Sequence, residues 1–162
     1  MKKFNHSMKS LLKDINTKEQ NIIKTNLNEL EKIINPKIIE IHDCIILDLN
    51  NTIINKNINF NFILEIFGDR VGYEASCNEI RINDYIISGS FNSIIKLSFK
   101  IIEILKDKLK SKYPNDKFCI IFSSDKEVVT LRFYKIRKDE KTWLNEEDLE
   151  KYTEEALMVY KF

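Results

Sequence analysis

The feature of this sequence that most constrains its fold is one long amphipathic segment at residues 91–110. Apolar side chains recur there at helical spacing and cover a wide face: Phe91, Ile94, Ile95, Leu97, Ile101, Ile102, Ile104, Leu105 and Leu109. A helix with so wide an apolar face must pack on a large apolar surface, and a β-sheet provides one. The spacing therefore predicts a helix over 91–110 that lies on a sheet and ends before Pro114.

Much of the remaining chain alternates with the period of β-strands. Residues 118–122 are apolar at every position, which is typical of a central strand buried on both faces. Alternation predicts further strands at 39–49, 60–67, 73–82, 129–134 and 157–162. Short turns separate them, including a hairpin loop at 68–72, a turn at 55–57 and a bulge near Asn78. Strands joined by such turns predict an antiparallel sheet.

Two amphipathic helices are predicted before the sheet begins. The first covers residues 4–15. The second begins at Thr17, an N-cap that forms a capping box with Gln20, and it ends before Pro36. A short acidic helix is also predicted near the carboxyl end, capped by Asn145.

These patterns together predict an α+β fold. An antiparallel sheet carries a long helix on one face and follows a helical N-terminal segment. The 162 residues of the chain are the length of one domain. We expect a single domain over 1–162, made of a helical segment at 1–35 and an α+β core at 37–162.

The distribution of apolar residues excludes a membrane-spanning helix. The longest apolar runs, 118–122 and 156–160, have five residues, whereas a bilayer span needs about 20. Lys2 and Lys3 are not followed by an apolar stretch, so no signal peptide is indicated. Three widely spaced cysteines predict buried free thiols in a reducing compartment, and we expect a cytoplasmic protein.

A metal or cofactor site is not expected. His42 and Cys44 fall on one face of a predicted strand, and Cys77 and Cys119 lie on others, so a four-ligand zinc site is conceivable. The sequence lacks paired CxxC spacing, and buried thiols are the better interpretation. With three glycines in the chain, a phosphate-cradling loop is nearly excluded.

One cluster of carboxylates offers a candidate for acid–base catalysis. Glu74, Glu79 and Asp84 flank the predicted strand at 73–82, beside Tyr73. A solvated strand face with a cross-strand ion pair explains the same residues more simply. We therefore expect a protein that is not an enzyme and has no catalytic residue.

An alternative interpretation assigns nucleic-acid binding to the long helix, over 91–112. Six lysines there stand against Glu103 and Asp107: Lys96, Lys100, Lys106, Lys108, Lys110 and Lys112. A basic helix face can neutralise phosphates. The chain has 22 lysines and 4 arginines, a bias that A/T-rich codons also produce. The solvated face of a core helix is therefore the favoured explanation.

The strongest local charge is negative and lies near the carboxyl end. Residues 139–155 contain eight acidic and two basic side chains, a balance of −6 in a chain of net charge +1. Trp143, the only tryptophan, and Tyr152 lie among them. Aromatic residues anchor interfaces, and acidic surroundings select a basic partner. The structural alternative is that the acids complement a helix dipole and Trp143 closes the edge of the core.

The order of residues in the second half of the chain resembles small bacterial immunity proteins, which accompany polymorphic or contact-dependent growth inhibition toxins. The resembling stretches are RFYKIRKDE at 132–140, WL at 143–144 and EDLEKY at 147–152, followed by the last predicted strand. The likeness covers about residues 60–162. It implies a cytoplasmic protein that binds one cognate toxin domain, in many cases a basic nuclease, and blocks it.

The resemblance and the charge pattern together define a predicted partner-binding site. The expected mechanism is steric cover with charge complementarity, in which Trp143 and Tyr134 are aromatic anchors. Its residues are Tyr134, Arg137, Asp139, Glu140, Trp143, Glu146, Glu147, Asp148, Glu150 and Tyr152. The expected partner is the toxin domain, and no membrane is expected to take part.

Overall fold

The computed structural model describes residues 1–15, 23–53 and 59–162, so the predicted Thr17–Gln20 capping box and the predicted turn at 55–57 lie outside the described residues. The strands are β1 (Lys2–Phe4), β2 (Ile23–Thr25), β3 (Ile38–Ile41), β4 (Cys44–Leu47), β5 (Ile80–Arg81), β6 (Ile86–Gly89), β7 (Phe118–Ser124), β8 (Val129–Lys135) and β9 (Ala156–Lys161). The helices are α1 (His6–Asp14), α2 (Leu27–Ile34), α3 (Phe60–Phe67), α4 (Arg70–Cys77) and α5 (Phe91–Lys112), and short 3₁₀ turns cover Ile82–Tyr85 and Leu149–Lys151. The predicted α+β fold is confirmed.

Five antiparallel strands form the central sheet, in the order β1-β9-β7-β8-β5. β7 lies in the middle and pairs with β8 over its full length, from Phe118 opposite Lys135 to Ser124 opposite Val129. Residues 118–122 are each at most 3% exposed. The buried central strand predicted there is thus confirmed, as are the strands predicted at 129–134 and 157–162, which are β8 and β9.

Both faces of this sheet are covered. The predicted long helix is confirmed as α5, which packs with the even-numbered side chains of β7 in the main core. The odd-numbered side chains Cys119 and Ile121 form a second core with Val71 of α4 and Leu149. This second core agrees with the prediction that 118–122 is buried on both faces, because the chain returns over the sheet between β8 and β9.

The first 35 residues differ from the two helices predicted. The first helix is confirmed as α1, which the side chain of Asn5 caps, but β1 precedes it and forms the edge of the sheet beside β9. α2 begins at Leu27 rather than at Thr17. The reason is local: β2 pairs with β6, and the side chain of Asn26 caps the helix that follows.

The single strand predicted over 39–49 is a hairpin. β3 and β4 pair antiparallel, with Ile41 opposite Cys44 next to the turn. His42 and Asp43 form that turn with φ angles of 49° and 66°. The sequence gives little sign of it, because the usual glycine or asparagine of a tight hairpin is missing.

The strands predicted at 60–67 and 73–82 are wrong, apart from the two residues of β5. These segments form α3 and α4, and each helix has a side-chain cap at its start. Asn59 accepts a hydrogen bond from the third residue of α3, and Asp69 does the same for α4. The apolar residues of α3 occupy most positions and fit either period, and those of α4 are too few to decide, so the capping residues decide the structure.

The hairpin loop predicted at 68–72 is instead a junction between two helices. Gly68 ends α3 with a φ of 84°, a conformation that favours glycine. Gly72 lies against the end of α3, since a Cβ there would come within 2.2 Å of the carbonyl oxygen of Phe67. The two glycines therefore allow α4 to start directly after α3.

The bulge predicted near Asn78 is also wrong, because Asn78 ends α4 and joins two sheets. Its side chain accepts a hydrogen bond from Leu47 N at 2.8 Å. It donates to Ile45 O at 2.7 Å and to Phe133 O at 3.1 Å. The first two partners belong to β4 and the third to β8.

Glu74, one helical turn before Asn78, makes the same kind of connection. Its carboxylate accepts from Ile45 N at 2.6 Å and from Lys135 N at 2.9 Å. Both Glu74 and Asn78 are 0% exposed. These two side chains, which we call the α4 bridge, occupy the position that a strand between β4 and β8 would take.

Candidate functional site

The predicted partner-binding site lies mostly over the second face of the sheet. Residues 136–152, here called the covering segment, follow β8, and Leu144 and Leu149 pack into the second core beneath it. Asn145 does not cap an acidic helix as predicted. It accepts a hydrogen bond from Glu147 N at 3.2 Å, and only a short 3₁₀ turn follows. The acidic residues around Asn145 form ion pairs and do not make up the first turn of a helix.

Tyr134 supports the covering segment from below. It is 2% exposed, and its hydroxyl lies beside the Cys119 thiol and the backbone of Trp143. Burial, together with Cys119, raises the pKa of Tyr134 far above its ordinary value. The expectation that Tyr134 anchors a partner is therefore corrected: a buried phenol offers a partner no surface.

Trp143 and Tyr152 are the exposed aromatic residues of the covering segment, with 41% and 39% of their surface accessible. The chain around each is tied down. Tyr152 O accepts from Asn5 Nδ2 at 2.9 Å, and Thr142 Oγ1 donates to Leu144 O at 2.7 Å across Trp143. Both aromatic side chains thus stand partly in solvent on a backbone that the rest of the fold holds.

Glu146 is turned inward and ties the segment to the edge of the sheet. Its side chain is 9% exposed and pairs with Lys3 of β1 at 3.0 Å and with Lys161 of β9. Burial opposes its charge, but the two lysines hold the pKa of Glu146 below its ordinary value. Glu146 therefore stabilises the fold and is not available to a basic partner.

Two more of the predicted acids have partners within the protein. Glu150 accepts from His6 N at 2.7 Å and pairs with Lys9 at 3.3 Å. The His6 N–H and then Lys9 hold the pKa of Glu150 below its ordinary value. Asp148 pairs with Lys151 at 2.9 Å. Much of the negative charge that the sequence places here is thus neutralised by the protein's own cations.

Arg137 and Glu140 belong to a largely buried ion cluster where the covering segment begins. The Arg137 side chain, 5% exposed, donates from Nη1 and Nη2 to the two oxygens of Glu74, at 2.9 and 3.0 Å. It also donates to Glu140 at 3.3 Å. Arg70 pairs with Glu140 and, at 3.5 Å, with Asp139. The cluster joins the covering segment to α4.

The charges of this cluster compensate one another. Glu74 accepts four hydrogen bonds, as an ionised carboxylate can. Burial raises the pKa of Glu74, and the hydrogen bonds from Arg137 offset part of that effect. Burial also opposes the charge of Asp43, but Lys135 and Arg137 hold the pKa of Asp43 below its ordinary value.

Four of the ten predicted residues are accessible and have no ion pair shorter than 3.5 Å to the described part of the chain: Asp139, Trp143, Glu147 and Tyr152. Glu147 is exposed, and the Asp139 side chain is 76% exposed although it contacts Arg70. Of the other six, four are largely buried, while Asp148 and Glu150 are accessible but held in ion pairs of 2.9 and 3.3 Å with Lys151 and Lys9. The structure thus reduces the candidate surface to two aromatic and two acidic side chains.

The residues considered from the sequence for acid–base catalysis and for metal binding do not come together in the structure. Glu74 is buried in the ion cluster, so its predicted solvated position is wrong, and Glu79 pairs with Arg132 on the surface. Within residues 1–15, 23–53 and 59–162, no three His, Cys, Asp or Glu side chains are arranged to hold a metal ion.

The three cysteines are in two kinds of environment. Cys44 and Cys119, here called the core thiols, are buried as expected, but Cys77 is exposed, which corrects the prediction. Burial raises the pKa of Cys44 to about 12 and that of Cys119 to about 11. The core thiols are therefore protonated and unreactive at neutral pH.

Most of the lysines of α5 lie against the protein itself. Lys106 pairs with Glu103, Lys108 donates to the Asn35 side chain, Lys112 donates to Ile38 O, and Lys110 lies over the ring of Phe162. Four of the six lysines predicted to form a basic face are therefore engaged in contacts within the protein. No helix in the described ranges is long and apolar enough to cross a membrane.

Two surface features were missed in the sequence. Phe62 and Ile66 of α3 are 57% and 59% exposed. They share one face of the helix, which the strand predicted at 60–67 could not reveal. A cleft between α1 and α5 gathers His6, Asp14 and Lys126. Side chains so far apart in the chain carry no spacing signal, so only the fold could reveal the cleft.

This geometry defines an α+β protein whose antiparallel sheet is covered on both faces and which exposes a pair of aromatic residues on one of the covers. The chain belongs to the uncharacterized protein PM0498 family, whose model matches residues 3–161. No curated protein and no solved structure matches it.

Proposed function

We propose that this chain is a non-enzymatic cytoplasmic protein that binds and neutralises a cognate bacterial toxin domain. The observation that carries the proposal is Trp143, 41% exposed on a segment fixed by internal ion pairs. Large aromatic side chains that are held in place before binding are favoured anchors of protein interfaces, because little entropy is lost when the complex forms. The resemblance of residues 132–152 to immunity proteins supports this class of partner.

The proposed mechanism is steric cover of the toxin. Trp143 and Tyr152 enter pockets of the partner, while Asp139 and Glu147 face its basic residues. Exposed charges of this kind act mainly on the rate of association. Because the other acids of the segment are paired internally, we expect binding to depend only moderately on salt concentration.

The test is titration calorimetry of the purified chain against the C-terminal domain of the protein encoded immediately upstream. We expect Trp143→Ala to raise Kd by about 30-fold, the equivalent of the ~2 kcal/mol of a hot-spot residue. Ile87→Ala is the matched control, since Ile87 is an apolar residue of β6 with 61% exposure, and it should bind like the wild type. Glu147→Lys should slow association with a basic partner.

Two results would overturn the proposal. One is the failure of the folded wild-type protein to form a complex with that domain or to protect cells that express it. The other is equal binding by Trp143→Ala and Ile87→Ala, with circular dichroism showing that both variants are folded.

A further inference from the structure

A cleft with a volume of about 540 Å³ opens between α1 and the first turn of α5. The turn between β7 and β8 and the residues that lead into β9 complete its walls. Small-molecule sites occupy about 300–1,000 Å³, so the cleft has room for a ligand. It lies on the side of the sheet that carries α1 and α5, away from Trp143.

One hydrogen bond joins two walls of the cleft, and local contacts order the other two. On one side Ser7 Oγ donates to Thr153 O at 3.2 Å, which ties α1 to the chain leading into β9. On the other side Ser90 caps α5, and Ser124 Oγ accepts from Lys126 N at 3.3 Å in the turn after β7. A site with such ordered walls loses little entropy when it binds a ligand.

Charged groups of both signs line this cleft. Asp14 and Glu154 supply carboxylates, and Lys126 supplies an ammonium group. In the part of the chain that the structure describes, none of the three forms an ion pair, whereas the acids of the covering segment discussed above mostly do. Phe91 and Leu11 add an apolar surface between the charges.

We propose that this cleft binds a small zwitterion of the free α-amino acid class. Lys126 receives the carboxylate, Asp14 or Glu154 receives the ammonium group, and the apolar side chain lies against Phe91. All three charged groups are exposed, so a ligand with one charge would pair with only the lysine or only an acid and leave the other to solvent. A zwitterion satisfies both signs, and the volume leaves room for a large side chain.

The test is titration calorimetry of the full chain with L-phenylalanine, and with its methyl ester and N-acetyl derivatives as matched probes. We expect saturable binding of the free amino acid and at least about tenfold weaker binding of each derivative, since each lacks one charge. Lys126→Met should weaken binding about tenfold. Lys117→Met, which changes an exposed lysine outside the cleft, should not.

A second variant tests the cleft independently of Lys126→Met. Ser10 is an exposed residue of α1 that lines the cleft, so Ser10→Trp should fill the space and abolish binding while the protein stays folded. The proposal is overturned if none of the standard amino acids binds saturably at millimolar concentration, or if the ester binds as well as the acid. Trp143→Ala should leave amino acid binding intact, so this result is independent of toxin binding.

Discussion

Replacing Asn78 by alanine is the sharpest test of how the hairpin is attached to the sheet. Asn78 is 0% exposed, and its side chain serves Leu47 N, Ile45 O and Phe133 O. Asn78→Ala leaves all three backbone groups buried without a partner. Each such group lowers the free energy of unfolding by about 1–3 kcal/mol. The N–H costs most, because a carbonyl oxygen has two lone pairs and more ways to find a donor. We therefore expect the free energy of unfolding to fall by about 3–5 kcal/mol.

The assay is urea unfolding followed by circular dichroism. For a protein of this size the slope m is about 2 kcal/mol/M, so the midpoint should fall by about 2 M with m unchanged. Asn61→Ala is the matched control, because Asn61 is an exposed helical residue of α3 and should change stability by less than about 0.5 kcal/mol. A loss below about 1 kcal/mol in Asn78→Ala would refute the idea that this side chain replaces a strand.

Three further predictions concern the ion pairs and the thiols. Arg137→Met should lower stability by about 3–5 kcal/mol, because it leaves the Glu74 carboxylate buried and unpaired, and the exposed control Lys138→Met should unfold at nearly the wild-type urea concentration. The pKa of Glu146 is lowered in the folded protein, so its contribution is present above the ordinary glutamate pKa and is lost as the pH falls through the folded value. Thermal melts should therefore show Tm decreasing below about pH 4.5, less steeply in Glu146→Gln than in the wild type, and equal slopes would contradict this reasoning. In native protein a thiol reagent should modify Cys77 alone and reach the core thiols only after unfolding, whereas rapid loss of all three thiols would show that the core is open.

The parts of the fold that were predictable are those in which one period dominates. The 22 residues of α5 have a helical stripe that no strand could use, and 118–122 are apolar throughout and too short for a buried helix. Over 60–77 the same argument fails, since Phe60, Phe62, Leu64 and Ile66 alternate while the full set also covers a helix. There the outcome depends on caps and on two glycines.

The sequence predicted which residues the candidate site contains. It could not predict which of them form ion pairs with other parts of the protein. Arg137 and Glu74 are 63 positions apart, and Glu146 meets Lys3 from the opposite end of the chain. Such pairs depend on which strands are neighbours, which composition does not reveal. A usable signal did exist for the α4 bridge: Glu74 and Asn78 are four residues apart, the spacing that places two polar side chains on one helix face.

The α4 bridge also has a consequence for how the molecule comes apart. A β-hairpin that belonged to the sheet through a backbone ladder would separate only with the loss of many shared amide bonds. Here β3 and β4 keep their own ladder and are joined to β8 through side chains. These are the α4 bridge and the ion pair of Lys135 with Asp43 in the hairpin turn.

Detachment of the hairpin as an intact unit would break these contacts and expose Ile38, Ile45 and Leu47 from the main core. It would leave the five-stranded sheet paired, so we expect it to cost less than global unfolding. Amide hydrogens of β4 should exchange with solvent sooner than those of β7. A substitution that weakens the α4 bridge, such as Asn78→Ala, should make the exchange of β4 faster still.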